Sequence, residues 1–377
     1  MAEWQDDYLT HCAAEWTEIR NSSQHKGAYE RVRALVEAMS SPLSSARPDY
    51  AMWLDACLPT GDMQQLNNLI YQHTRIQLMP GTSGGYDHCF HAFRALNALA
   101  CGDWDAAERI LRPCEVVWAR DAAGVEKKAG ISLTGHRASE FAIPQPDEAG
   151  LVSVVFHDDY CLLPPQVRKA QNGYAFLVVL SNLLAALWLK DDALLPHALA
   201  AAQKFMQSKK PANERAVIAF LWHVHAGDTQ AASEQLQKFC EGYGRTDISP
   251  AEKRLCVPAH GLYSLAEMLL PSEQFARIQM PAYKNFNRDF AEWRMANKRQ
   301  QAALFVEYPA HLDIFNRIYL APAPRSIVSQ HYLYSDNPYL QHAKKEWTQD
   351  EEIMLREFVK GVKNFGREPL EATLAVQ

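Results

Sequence analysis

The sequence predicts an all-α fold of packed helical hairpins. Three observations carry that expectation: a Gly-Asp turn that recurs between apolar-periodic stretches, alanine-rich arms beside those turns, and helix caps at most of the remaining segments. The turn stands in LNALACGDWDAAERIL at Gly102-Asp103 and in HVHAGDTQAASEQLQKF at Gly227-Asp228. Glycine takes the left-handed residue that ends one helix, and aspartate caps the backbone N–H groups that open the next. A degenerate third copy, WLKDDALLPHALAAAQKFM, keeps the acids Asp191 and Asp192 but lacks the glycine.

Apolar spacing defines the arms. Phe90, Phe93, Leu96 and Ala100 precede the first turn, and Trp104, Ala107, Ile110 and Leu111 follow it. Val217, Phe220, Leu221 and Val224 face Ala231, Ala232, Leu236 and Phe239 across the Gly227-Asp228 turn. The second and third acids, Asp192 and Asp228, are 36 residues apart, near a tetratricopeptide-like period, but the first turn is too distant for a strict array. The hairpins are therefore tetratricopeptide-like but irregular.

Caps mark further helices. Ser249-Pro250-Ala251-Glu252 is a capping box expected to start a helix reaching Leu270, with a kink at Pro258. Phe286, Phe290 and Trp293 share one helical face, and Thr348 with Glu351 is expected to open a closing helix that Gly366 ends. Tyr174 to Leu189 is a central helix buried on most sides; its 16 residues include Ser181 and Asn182 and fall short of the roughly 20 that a membrane span needs. Between Gly130 and Pro165, Gly, Pro and Asp break the pattern, and LVSVVFHD at 151–158 is the one plausible strand. The expected organisation is a helical region at 1–125, an irregular insertion at 126–165, a hairpin core at 166–320 and a C-terminal extension with its closing helix at 321–377.

Composition narrows the function classes. At 377 residues the chain exceeds one ordinary core, and 48% hydrophobic with 22% charged residues fits a folded protein. A formal charge of −6 argues against a nucleic-acid-binding surface and permits a basic partner. Eight cysteines without a C-x-x-C pair predict free thiols in a reducing compartment, and the acidic N-terminal stretch lacks the features of an export signal, so a cytoplasmic location is expected.

Residue types that could carry chemistry occur without completing a known constellation. His88 and His91 sit three apart on one helix, but two ligands do not make a metal site. His223 and His225 point about 200° apart on a helix and cannot share an ion. The cluster His157-Asp158-Asp159 lacks a nameable nucleophile, and PGTSGGYDH at 80–88 lacks the lysine and serine or threonine of a phosphate loop. WTQDEEIMLREFVKGVKNFG has the look of a Myb-type opening helix, but the chain ends before a recognition helix can follow. No enzyme activity, cofactor or metal is therefore expected.

A buried helix ending in ALWLKDDALL, the hairpin AGDTQAASEQLQKFCEGYG, and PAHGLYSLAEMLL leading towards YPAHLDIFNRIYLAP follow one another within 172–324. In these segments the chain resembles bacterial immunity proteins, in particular the immunity protein 49 family, over less than half its length. The resemblance implies a non-catalytic cytoplasmic antitoxin that binds and neutralises a cognate polymorphic toxin, including one delivered by type VI secretion. Such a family brings no fixed functional residues to transfer. Acidic side chains and loop tyrosines are the expected contacts: Asp158, Asp159, Tyr332, Tyr334 and Tyr339. The alternatives are a tetratricopeptide-like adaptor or secretion chaperone and, third, a metal-dependent hydrolase built on the histidine clusters.

Overall fold

The computed structural model describes residues 2–22, 27–41, 44, 46–79, 88–111, 115–117, 151–153, 174–190, 192, 195–246, 248–323, 327–331, 346–349 and 351–364. Among these residues the fold is helical throughout its body, as the sequence predicts, with one small sheet. The first helices are α1 (Ala2–Ser22), α2 (Ala28–Ser40), α3 (Tyr50–Cys57) and α4 (Met63–Leu78). Asp49 caps α3 by accepting from Met52 N at 3.0 Å, and Asp62 caps α4 through Gln65 N at 3.0 Å.

The first Gly-Asp turn joins α5 (His88–Cys101) to α6 (Trp104–Leu111). Gly102 has φ +75°, the Asp103 N–H reaches back to Ala98 O at 2.9 Å, and Asp103 Oδ1 accepts from Ala106 N at 3.2 Å. Helix C-cap and helix N-cap are thus fused in two residues. Ala107, Ile110 and Leu111 face inward as their spacing predicts, whereas Trp104 at the first position of α6 is exposed.

Next come α7 (Tyr174–Leu189), α8 (Leu195–Met206), α9 (Ala212–Ala226) and α10 (Thr229–Tyr243). Helix α7 is the expected central helix: Leu180, Leu183, Leu184 and Ala186 are fully buried, and Ser181 and Asn182 are buried with them. Among the described residues no helix is long and apolar enough to cross a membrane. The α9–α10 turn repeats the first one, with Gly227 at φ +73°, Asp228 N bonded to His223 O at 3.0 Å, and Asp228 Oδ1 accepting from Ala231 N at 3.0 Å. At the glycine-less third turn, Lys190 takes the left-handed position itself, at φ 52°.

The capping box forms as read, with Glu252 N donating to Ser249 Oγ at 3.2 Å and Ser249 N donating to Glu252 Oε2 at 3.1 Å. The helix it opens does not run on to Leu270 with a kink. It stops as α11 (Pro250–Arg254) and restarts as α12 (Val257–Leu269). Pro258 lacks an N–H and would crowd the carbonyl four residues back, and Cys256 N is instead bonded to Asn285 O at 2.8 Å. Helix α12 lies closely against α5: a Cβ on Gly261 would overlap the Leu96 carbonyl, so glycine is what lets these backbones touch.

A short helix, α13 (Ser272–Phe275), leads to α14 (Arg288–Ala296), α15 (Asp313–Leu320) and the closing helix α16 (Glu351–Asn364). Phe286 precedes α14 rather than sharing its face and stacks on His260 at 4.2 Å, while Asn287 caps the helix. Strands β1 (Glu115–Val117), β2 (Leu151–Ser153), β3 (Ile327–His331) and β4 (Glu346–Gln349) form one sheet in the order β2-β1-β3-β4. β1 pairs antiparallel with β2 and parallel with β3, and β3 pairs antiparallel with β4. The strand expected at 151–158 is thus present at its start. Thr348 is a strand residue opposite Ser329 rather than the cap of α16.

Two hydrophobic cores hold the molecule together, and each draws on distant stretches of chain. One gathers α5 and α6 with α7 to α10 and α12; the other gathers α1 to α4 with α11, α14, α15 and α16. In the second, Gln72 of α4 organises the 297–309 segment: its Oε1 accepts from Phe305 N and Val306 N at 2.9 and 3.0 Å. Gln72 Nε2 donates to Tyr308 OH at 3.1 Å, and the chain of donors passes through Tyr8 OH to Ala46 O.

Candidate functional site

A cavity of about 320 Å³ opens on the seam between the two cores, at the small end of the range of small-molecule sites. Its polar wall is made by Tyr50 at the start of α3, His73 and Gln77 on α4, Arg94 and Asn97 on α5, Tyr243 at the end of α10, and Glu252 in the capping box of α11. The apolar wall is Phe176 and Leu177 of α7 with Leu255, Val257 and Pro258 at the break between α11 and α12. The interruption that proline forces on the predicted long helix therefore also shapes this wall.

The polar groups are locked in sequence. The Tyr50 ring stacks on His73 at 3.8 Å, and Gln77, one helical turn on, donates its Nε2–H to His73 Nε2 at 2.8 Å. Arg94 Nη1 donates to Gln77 O at 2.5 Å, a cation set at the C-terminal end of α4 where carbonyls want donors. Burial, then the charges of Arg47 and Arg94, push His73 down to about 3, so its ring is neutral at pH 7. Burial lowers Arg94 to about 10, which leaves it charged. Burial raises the phenols of Tyr50 and Tyr243, with Glu252 adding to both.

Arg94 has no carboxylate partner among the described residues, and burial alone accounts for its shift. Asn97, three residues on along the same face of α5, has its Oδ1 buried without a hydrogen-bond partner. Glu252 is engaged instead, its Oε2 accepting from the N–H and the hydroxyl of Ser249. The arrangement can hold charge and shape. The one imidazole in it is not basic enough to act as a proton acceptor near neutral pH.

None of the candidate site residues singled out in the sequence is among the described residues that line the cavity. Asp158, Asp159, Tyr332, Tyr334 and Tyr339 fall outside the described residues, as does His157. His88 and His91 fall at the start of α5. His223 turns towards Asp228, 3.6 Å away, while His225 is exposed, in keeping with their divergent directions on α9. Among the described residues no three His, Cys, Asp or Glu side chains gather as a metal site would require. Cys12, Cys57, Cys101, Cys240 and Cys256 are free and buried.

Sequence reasoning missed the cavity because its lining comes from six helices and a helix break. The signal available was an arginine inside the alanine-rich arm FRALNALA, with an asparagine three residues later. Comparison with family models, with curated proteins and with solved structures finds no match to this chain.

Proposed function

We propose that this chain is a non-catalytic immunity protein that binds and neutralises a cognate bacterial toxin. The observation that carries the reading is the tuning of the buried reactive groups. Burial pushes the thiols of Cys12 and Cys101 up to about 12 and that of Cys57 to about 11, and it pushes His73 and His260 down to about 3. These five groups are thereby held away from the protonation states that chemistry near pH 7 uses. A rigid scaffold with inert interior groups suits binding.

The segments resembling immunity proteins supply α7, the α9–α10 hairpin, α12 and α15, elements of both cores, so the resemblance falls on the load of the fold and leaves surface loops to vary with the toxin. The net charge of −6 suits a basic partner, met in the cytoplasm, with no nucleic acid involved. The test begins with the reading frames beside this gene and, where one encodes a protein with a toxic C-terminal domain, co-expresses the two. Neutralisation predicts restored growth and a stoichiometric complex on gel filtration. Unrelieved toxicity with both proteins expressed and folded would sink the reading.

A further inference from the structure

Beyond any protein partner, we propose that the seam cavity is a binding site for a small organic zwitterion: a carboxylate at one end, an apolar body, and an ammonium group at the other. Three features of the cavity specify that chemistry. Arg94 presents a largely buried guanidinium that no described carboxylate neutralises, and it sits on the cavity wall. An unpaired cation in such a place is costly, and a ligand carboxylate relieves the cost by charge-assisted hydrogen bonds. Asn97 adjoins it, and because its Oδ1 makes no hydrogen bond, turning that amide towards a ligand breaks none.

The same cavity also carries the opposite sign. Glu252 lines the same cavity beside Tyr50 and Tyr243, whose phenols feel its charge, but it is too far from Arg94 to pair with it. A simple anion would be welcomed at Arg94 and repelled at Glu252, whereas a molecule charged at both ends satisfies each. The stacked Tyr50 and His73 rings line the cavity together with Phe176, Leu177, Leu255, Val257 and Pro258, which suits a ligand with an apolar, flat body. His73, already bonded to Gln77, adds no charge to this middle section.

Calorimetric titration of the full chain tests this with 4-(aminomethyl)benzoate, its half-ligands benzoate and benzylamine, and inorganic phosphate. The zwitterion should bind most tightly, each half-ligand more weakly, and phosphate not at all. Arg94→Gln should weaken benzoate and the zwitterion by roughly 10-fold to 100-fold while leaving benzylamine unchanged. Glu252→Gln, which keeps the capping box because glutamine serves there too, should weaken benzylamine and the zwitterion and leave benzoate as tight or tighter. Leu177→Trp fills the cavity from its partly exposed wall without touching either charge and should abolish all binding, which covers the case of an unfolded Arg94 variant. Absence of saturable binding to the folded protein at millimolar ligand, phosphate binding as well as benzoate, or an unchanged affinity in folded Arg94→Gln would each overturn the proposal.

Discussion

Two turns in this protein are built from the same dipeptide, and they do different work. At both, glycine sits near φ +74° and the following aspartate closes one helix through its N–H and opens the next through its carboxylate. Asp228 adds to that only an approach to His223 at 3.6 Å, and its side chain is 52% exposed. Asp103 is 3% exposed and clasps Arg75 of α4 with both oxygens, at 2.5 and 2.7 Å. Arg75 also donates to Ala321 O at 2.8 Å, just past α15, and lies over the Tyr71 ring. Burial works against the Arg75 charge, but Asp103 more than offsets it and raises the group above its ordinary value. The same local motif is a cap in one place and the anchor of three elements in the other.

The sharpest way to break this comparison is to remove both carboxylates in turn. Asp103→Ala leaves the buried Arg75 with only the half-exposed Asp105, 3.8 Å away, as a carboxylate partner and should cost about 3–5 kcal/mol, whereas Asp228→Ala should cost about 1 kcal/mol, the worth of an exposed cap. Urea denaturation of the two variants measures the gap, and equal losses would show that the Arg75 pair adds nothing to the cap. The glycines should differ in the same sense. Alanine at either position is strained by its positive φ at about 1 kcal/mol, but at Gly102 the new methyl also meets the Arg294 guanidinium, which bonds the carbonyls of Asn297, Lys298 and Gln300. Gly102→Ala should therefore lower the melting temperature more than Gly227→Ala, by roughly a further 1–3 kcal/mol of stability.

Acid should expose the buried hairpin as well. His260 lies on α12, against α5, with its Nε2 accepting from Asn287 N at 3.3 Å and its ring between Phe286 and Phe290. The unfolded chain takes up a proton at the ordinary histidine value of about 6.5, but burial holds the folded ring neutral down to about 3. Its contribution is full above pH 6.5 and is lost as the pH falls towards 3, at up to about 1.4 kcal/mol per pH unit. Stability measured against pH should fall less steeply over that window in His260→Gln; parallel curves would refute the assignment. The smallest effect is expected at the third turn, where Lys190→Gly relieves a left-handed side chain and should stabilise by about 0.5–1 kcal/mol, read as a rise in melting temperature.

Much of this was legible because it is local. The Gly-Asp turns, the capping box at Ser249 and Glu252, the buried helix at Tyr174–Leu189 and the helical class all follow from backbone hydrogen-bond needs and side-chain periodicity within a few residues. Pro258 was read as a kink and proved a break, because the competing acceptor for Cys256 N is Asn285, 29 residues away in the chain (256 to 285). Thr348 was read as a cap and proved a strand residue, because its partner Ser329 arrives from β3.

At the two Gly-Asp turns the sequence by itself determined where the helices end and which residues end them, since an αL glycine followed by an acceptor satisfies orphan backbone groups whatever surrounds it. Only the tertiary structure decided which of two identical turns became a buried anchor. That choice needed Arg75, 28 residues upstream, to be carried by α4 against Asp103, and among the described residues no arginine pairs with Asp228. The cavity arose in the same way: Tyr50, His73, Arg94, Phe176, Tyr243 and Glu252 mean little in their own helices and become a site only where the two cores meet.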